Sequence, residues 1–148
     1  MSGDSDLINL YSARILGLAA GLPAPGRLEA PDGSATLRAP LCGSTVTVDL
    51  TTDGGVITDY AASVRACALG QAAASVVAAH IVGRRFEEVI EARDVLREML
   101  RTDGPAPRPP FDGLDVLRAA RPFENRHASI MLALDAAVEA LSQVRASA

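Results

Sequence analysis

The stretch Ser44-Thr45-Val46-Thr47-Val48-Asp49-Leu50-Thr51-Thr52-Asp53-Gly54-Gly55-Val56-Ile57-Thr58-Asp59-Tyr60-Ala61-Ala62-Ser63-Val64 decides the fold. From Ser44 to Leu50 apolar and polar residues alternate, a period of two that favours a strand over a helix. Asp53-Gly54-Gly55 is a hairpin signal, because glycine accepts positive φ without a steric cost. Val56–Val64 then reads as the returning strand. Upstream, Ala35-Thr36-Leu37-Arg38-Ala39-Pro40-Leu41 alternates in the same way and supplies a third strand.

The remainder is helical in pattern. Leu7, Leu10, Tyr11, Ile15, Leu18 and Ala19 recur at steps of three and four, which predicts a helix from Ser5, its cap, to about Ala20. Gly21-Leu22-Pro23-Ala24-Pro25-Gly26 ends it. A second helix is expected from Leu69 to Val82, stopped by Gly83. A third runs from about Arg85 to Leu100, with Phe86, Val89, Ile90, Val95, Leu96 and Leu100 on its apolar side. Thr102–Pro110 is a proline-rich surface loop. A short helix at Leu114–Ala119, an interruption at Pro122 and an amphipathic helix from about Arg126 to Val144 complete the chain. Strands grouped first and helices after them predict an α+β fold: a small three-stranded antiparallel sheet with helices packed on one face. The length of 148 residues predicts one domain, 1–148.

Composition narrows the function. Hydrophobic residues make up 49% of the chain, enough for a real core, and no run of them is long enough to cross a membrane. Met1–Asp6 is acidic and lacks the basic opening of a secretory leader, so a cytoplasmic protein is expected. All 14 basic residues are arginine and the formal charge is −4, with no basic block, which argues against nucleic-acid binding. The absence of lysine removes Schiff-base and Walker-type phosphate chemistry. Aromatic residues are only 3% and tryptophan is absent, so base stacking is poorly supported as well. Gly54 and Gly55 serve a turn and not a phosphate loop.

Three residues carry candidate chemistry. Cys42 lies between the first two strands. Cys67 follows the third strand just before a helix, where the N-terminal dipole and free N–H groups favour thiolate. His127 stands near the start of the last helix, where neutral imidazole, the ligand form, is favoured, with Asn125 a candidate cap. Thiolate and imidazole are the ligands that soft metals and iron–sulfur clusters take. Against this stands the ordinary alternative that free cysteines are inert core residues. Ser44 reads as a strand-start residue or a hydrogen-bond donor beside the site and only weakly as a ligand, since its hydroxyl must lose a proton to bind well. His80, in the apolar run Ala79-His80-Ile81, reads as structural. Ser63, Ser75 and Ser129 have no base in a recognisable pattern, so a hydrolase triad has little support.

The segments Pro40-Leu41-Cys42-Gly43-Ser44, Asp53-Gly54-Gly55-Val56-Ile57, Ala66-Cys67-Ala68-Leu69-Gly70-Gln71-Ala72-Ala73-Ala74-Ser75 and Pro122-Phe123-Glu124-Asn125-Arg126-His127-Ala128 resemble, in order and content, the IscU/SufU group of iron–sulfur cluster assembly proteins, the NifU N-terminal-like family. Its members look like a Leu-Tyr-containing helix, Pro-x-Cys-Gly-Asp, a hairpin, Gly-Cys-Ala-Ile-Ser-x-Ala-Ser and a cysteine before the last helix. In the SufU branch that third segment reads Pro-x-Arg-x-Lys-Cys-Ala-x-Leu. Aligned on Pro122, it puts His127 at the third cysteine. Aligned on the His-Cys-Ser of IscU, it puts His127 on the family histidine and Ala128 on the lost cysteine. Ser44 replaces the family Asp and Ala66 the family Gly.

The resemblance implies a scaffold that binds a transient iron–sulfur cluster, or zinc, through Cys42, Cys67 and His127, with Ser44 at most a weak fourth ligand. It implies cysteine desulfurase and cluster-assembly proteins as partners. It also implies sulfur transfer, with Cys42 or Cys67 as acceptor, as the one candidate activity of a protein that is otherwise not an enzyme. The alternative is a degenerate, metal-free interaction partner of the same machinery.

Overall fold

The computed structural model describes residues 11–41 and 43–147. Its centre is the expected sheet. Strands β1 (Gly33–Ala39), β2 (Ser44–Asp53) and β3 (Val56–Arg65) are antiparallel in the order β1-β2-β3. Ala35 pairs with Val48 and Leu37 with Val46 across the first pair, and Leu50 with Tyr60 across the second. Gly54 and Gly55 both take positive φ, 58° and 84°, and Asp53 pairs with Val56, so the turn is a two-residue hairpin of the kind whose twist matches its strands. The register shifts between Thr51 and Thr52, which face Asp59 and Ile57, so Thr58 is an extra residue in β3 just after the turn.

Among the described residues four α-helices pack against the sheet and one another. Helix α1 (Ala13–Ala20) is shorter among the described residues than its periodicity predicts. The Ser12 hydroxyl accepts from the Ile15 N–H at 3.3 Å and starts the helix there. The expected cap Ser5, with Leu7 and Leu10, lies outside the described residues. Helix α2 (Ala68–His80) is buried almost all round, from Leu69 to Val77, which its small residues permit. Helix α3 (Phe86–Thr102) buries Phe86, Val89, Ala92, Leu96, Met99 and Leu100 on one stripe. It starts with the Arg85 N–H donating to the Glu88 carboxylate at 2.9 Å. Helix α4 (His127–Ser147) lies across β1 and β2 and touches α2 and α3.

The segment expected as a short α-helix at Leu114–Ala119 is instead a 3-10 helix, Phe111–Ala120. Its buried residues, Phe111, Leu114, Leu117 and Ala120, recur every three positions. A three-residue turn sets them in one row, which an α-helix would smear around its axis. A second, three-residue 3-10 turn (Glu124–Arg126) leads into α4.

Strand alternation would turn Asp49 to the opposite face from Val48, toward water, yet Asp49 is fully buried. The irregular segment after α1 supplies two of its partners, Arg27 and Leu28, and β1 the third, Ser34. Arg27 Nε donates to the carboxylate at 2.6 Å, the Leu28 N–H at 3.1 Å and the Ser34 hydroxyl at 2.5 Å. Burial pushes the Asp49 carboxyl up, but Arg27, Ser34 and Leu28 outweigh it and hold the group below the ordinary carboxylate range. A carboxyl with a depressed folded-state pKa contributes stability above its unfolded value, about 3.9, and loses it as pH falls through the folded value. Asp49→Asn is therefore expected to destabilise the fold by about 2–4 kcal/mol at neutral pH. In urea melts, the gap from the unmodified protein is expected to narrow as pH drops below about 4.

Candidate functional site

Cys67 is the residue between the sheet and α2. It is the N-cap of that helix, in extended conformation at φ −67° and ψ 171°. The Gln71 N–H donates to its carbonyl at 2.9 Å, and the Gln71 side chain donates to the Ala66 carbonyl at 3.0 Å, pinning the strand-to-helix corner. An N-cap faces the unsatisfied N–H groups of the first turn. The half-buried thiol makes no capping hydrogen bond to them, but the Gly70 and Leu69 N–H groups lie near enough to favour its charged form.

Its side-chain partner was not expected as a site residue. Ser129, in the first turn of α4, places Oγ 3.6 Å from Cys67 Sγ. Ser129 is 1% exposed and also contacts the Ser44 hydroxyl at 3.0 Å. Ser44 is the first residue of β2 and is buried too. Three elements thus bring two hydroxyls and one thiol together. The approach is close because residue 70 is glycine: a Cβ there would stand 2.5 Å from Ser129 Oγ and 2.8 Å from Ala66 Cβ.

Burial pushes the Cys67 thiol up, but the Gly70 N–H, the Ser129 hydroxyl, the Leu69 N–H and the charge of Arg126 together hold it below the ordinary thiol range. The thiol is half-buried and also packs against the hydrophobic core.

The other expected site residues sit as follows. Cys42 lies outside the described residues. Its flanks form an exposed turn, with Leu41 83% exposed and Gly43 at φ 69°. His127 opens α4, but its ring is turned toward the preceding 3-10 helix. Its Nε2 lies 3.2 Å from the Ala120 carbonyl and 3.0 Å from the Arg121 carbonyl. Carbonyls only accept, so Nε2 carries a proton and donates, leaving Nδ1 as the nitrogen able to bind a metal. Two residues along a helix are about 200° apart, so His127 and Ser129 face nearly opposite ways. His127 lines clefts with Leu100, Arg101, Arg121 and Asp135, away from the Cys67 sulfur. His80 is the exposed last residue of α2, where sequence reading had it inside the helix.

Among the described residues no three His, Cys, Asp or Glu side chains come together as a metal site. Zinc takes four donors, normally thiolate, imidazole or carboxylate. The described part of this site offers one cysteine sulfur and two hydroxyls that are bonded to each other. No helix among the described residues is long and apolar enough to cross a membrane.

Two outcomes follow. Alkylation of Cys67 against pH is expected to give a midpoint below the ordinary thiol value of about 8.5, and Ser129→Ala is expected to move it up; mass mapping of the Cys67 peptide reads both. Gly70→Ala is expected to cost about 1–3 kcal/mol in thermal or urea melts, because the new methyl must push α4 off α2.

Comparison with known proteins agrees with this architecture. The family model described as the NifU-like N terminal domain matches residues 11–147. A solved structure, the N-terminal part of a nitrogen-fixing NifU-like protein from Brucella abortus, superposes with a TM-score of 0.94 at 40% identity, covering 97% of this chain and 99% of that one. A putative iron–sulfur cluster assembly scaffold protein for the SUF system from thermophilic Fervidobacterium islandicum AW-1 superposes with a TM-score of 0.81 at 20% identity, covering 90% of this chain and 98% of that one, a likeness of fold. No curated protein matches. The sheet and the helix order are therefore those of a shared fold, and the chain belongs to the NifU-like N-terminal domain family.

Proposed function

We propose that this protein serves iron–sulfur cluster assembly as a scaffold and sulfur acceptor in which Cys67 is the reacting atom's carrier. Family membership supports the assembly role. The observation that carries the finer reading is the hydrogen-bonded, half-exposed Cys67 thiol at the head of α2. A cysteine desulfurase presents sulfur as a protein persulfide. The Cys67 thiolate attacks the outer sulfur of that persulfide and forms a new S–S bond. The donor's own S–S bond breaks, and the donor cysteine leaves as thiolate. The Ser129 hydroxyl holds the attacking sulfur in place, and the Gly70 and Leu69 N–H groups and Arg126 favour its negative charge.

An assembled cluster is cargo on this reading, held by Cys67 with Cys42. His127 stays outside the proposed donor set, because its Nε2 is committed to two carbonyls and its ring faces another cleft.

A second reading is favoured by one observation, the Ser44–Ser129 hydroxyl pair beside the sulfur, which supplies neither a carboxylate nor a second thiolate. On that reading the protein is a metal-free interaction partner of the assembly machinery. The two are separated by incubation with a cysteine desulfurase and free cysteine, followed by peptide mass mapping without reductant. The expected result is one added sulfur atom on the Cys67 peptide, lost in Cys67→Ser. Persulfide on neither cysteine, with the desulfurase still bound, would replace the first reading by the second.

A further inference from the structure

Helices α3 and α4 pack on one another and leave a groove along their contact. Leu100 on α3 and Met131 on α4 form its floor and are 1% and 5% exposed. Two adjoining cavities of about 360 and 320 Å³ make up the groove, and Leu100, Arg101 and His127 line both. His127 and Ser129 face nearly opposite ways from α4, so the groove lies on the far side of that helix from the Cys67 sulfur.

Charge along the groove is unevenly matched. At one end Arg97 donates to Asp135 at 3.2 Å, a pair that neutralises itself. Toward the other stand Arg101, in the last turn of α3, and Arg121, just after the 3-10 helix. Among the described residues neither of these two forms an ion pair or a side-chain hydrogen bond. Asp103, close enough to feel the Arg121 charge, is taken by Arg118 at 2.7 Å. Glu124 is the other carboxylate on the described lining. A guanidinium presents five N–H donors in a planar fork and takes a carboxylate two bonds at a time. Two such forks beside an apolar floor match a ligand that carries both carboxylates and an apolar side chain.

Asp135 follows His127 by eight positions, about 12 Å of helix, which three or four extended residues would span. A phosphate or a lone carboxylate is shorter than that and has nothing to lay on Leu100 and Met131. We propose that this groove binds an acidic segment of a partner protein, with an apolar side chain on the Leu100–Met131 floor and carboxylates on Arg101 and Arg121. The site is separate from Cys67 and does not rest on its reading as a sulfur acceptor. It gives a chain of formal charge −4 a local surface that draws acidic partners.

The test uses the full chain and a fluorescein-labelled peptide, Glu-Glu-Leu-Leu-Glu-Glu, with anisotropy to read binding and amide NMR shifts to place it. The peptide is expected to shift amides around Leu100, Arg101 and Met131 and to leave those of the Gly54-Gly55 turn in place. The double variant Arg101→Glu/Arg121→Glu is expected to weaken binding about ten-fold or more. Both side chains are exposed, so that variant is expected to melt like the unmodified protein. Glu124→Gln removes a carboxylate from the lining and is expected to tighten binding about two-fold, a sign that damage to the fold would not give. The peptide Lys-Lys-Leu-Leu-Lys-Lys is expected to bind at least about ten-fold more weakly. The absence of shifts in the groove at millimolar peptide would overturn the inference, as would binding that the charge reversal leaves unchanged. Equal binding of Glu-Glu-Ser-Ser-Glu-Glu would remove the role of the apolar floor and overturn it too. Tighter binding of inorganic phosphate, succinate or a short oligothymidylate at the same amides would replace the acidic protein segment by a small anion or a nucleic acid.

Discussion

Helix α4 comes closer to the rest of the chain than a Cβ allows, and it does so at two places. A side chain at Gly33, where β1 begins, would run into the Ala140 carbonyl, and one at Gly70 would run into Ser129. Between these two contacts the helix buries Ile130, Met131, Leu132, Ala133, Leu134, Ala136 and Ala137 against sheet and helices. Protein interiors have no slack to absorb an added methyl at such points. The seating of α4 therefore fixes where Ser129 stands, and Ser129 in turn fixes the surroundings of Cys67. Core packing and site geometry are one constraint in this molecule.

The site itself is built from weak donors. A carboxylate or a second thiolate next to Cys67 would bring negative charge, which has to be neutralised by a cation. Two hydroxyls bring none. They hydrogen-bond each other, Ser129 alone reaches the sulfur, and the nearby positive charge of Arg126 is left to act on the thiol. This balance suits a sulfur that reacts more than one that stores metal.

Most of the fold was legible in the sequence because it rests on short-range patterns. The alternation in β2, the Gly54-Gly55 turn and the stripes of α3 appear where the residues put them. Two elements were misread for local reasons: Ser12 caps α1 where periodicity alone ran on, and a three-residue repeat made a 3-10 helix of Phe111–Ala120. The burial of Asp49 could not be read from the alternation of β2, because its partners Arg27 and Leu28 are 22 and 21 residues away. The site was legible at Cys67 and not at Ser129. Ser129 has no neighbour in sequence that marks it; its meaning comes from residues 85 and 62 positions distant. One signal was there. Counted from Arg126 and not from Pro122, the family pattern Arg-x-Lys-Cys-Ala-x-Leu falls on Arg126-His127-Ala128-Ser129-Ile130-Met131-Leu132, with Ser129 in the cysteine's place.

The three members of the Ser44–Ser129–Cys67 chain belong to three different structural elements, and no covalent path shorter than a strand or a helix joins them. The sulfur therefore acts as a strain gauge for the docking of α4. A shift of the first helical turn by about one ångström takes the Ser129 hydroxyl out of hydrogen-bonding range, and the thiol loses a partner without any change at Cys67 itself. Whatever grips the start of α4 also sets the reactivity of a cysteine on another helix.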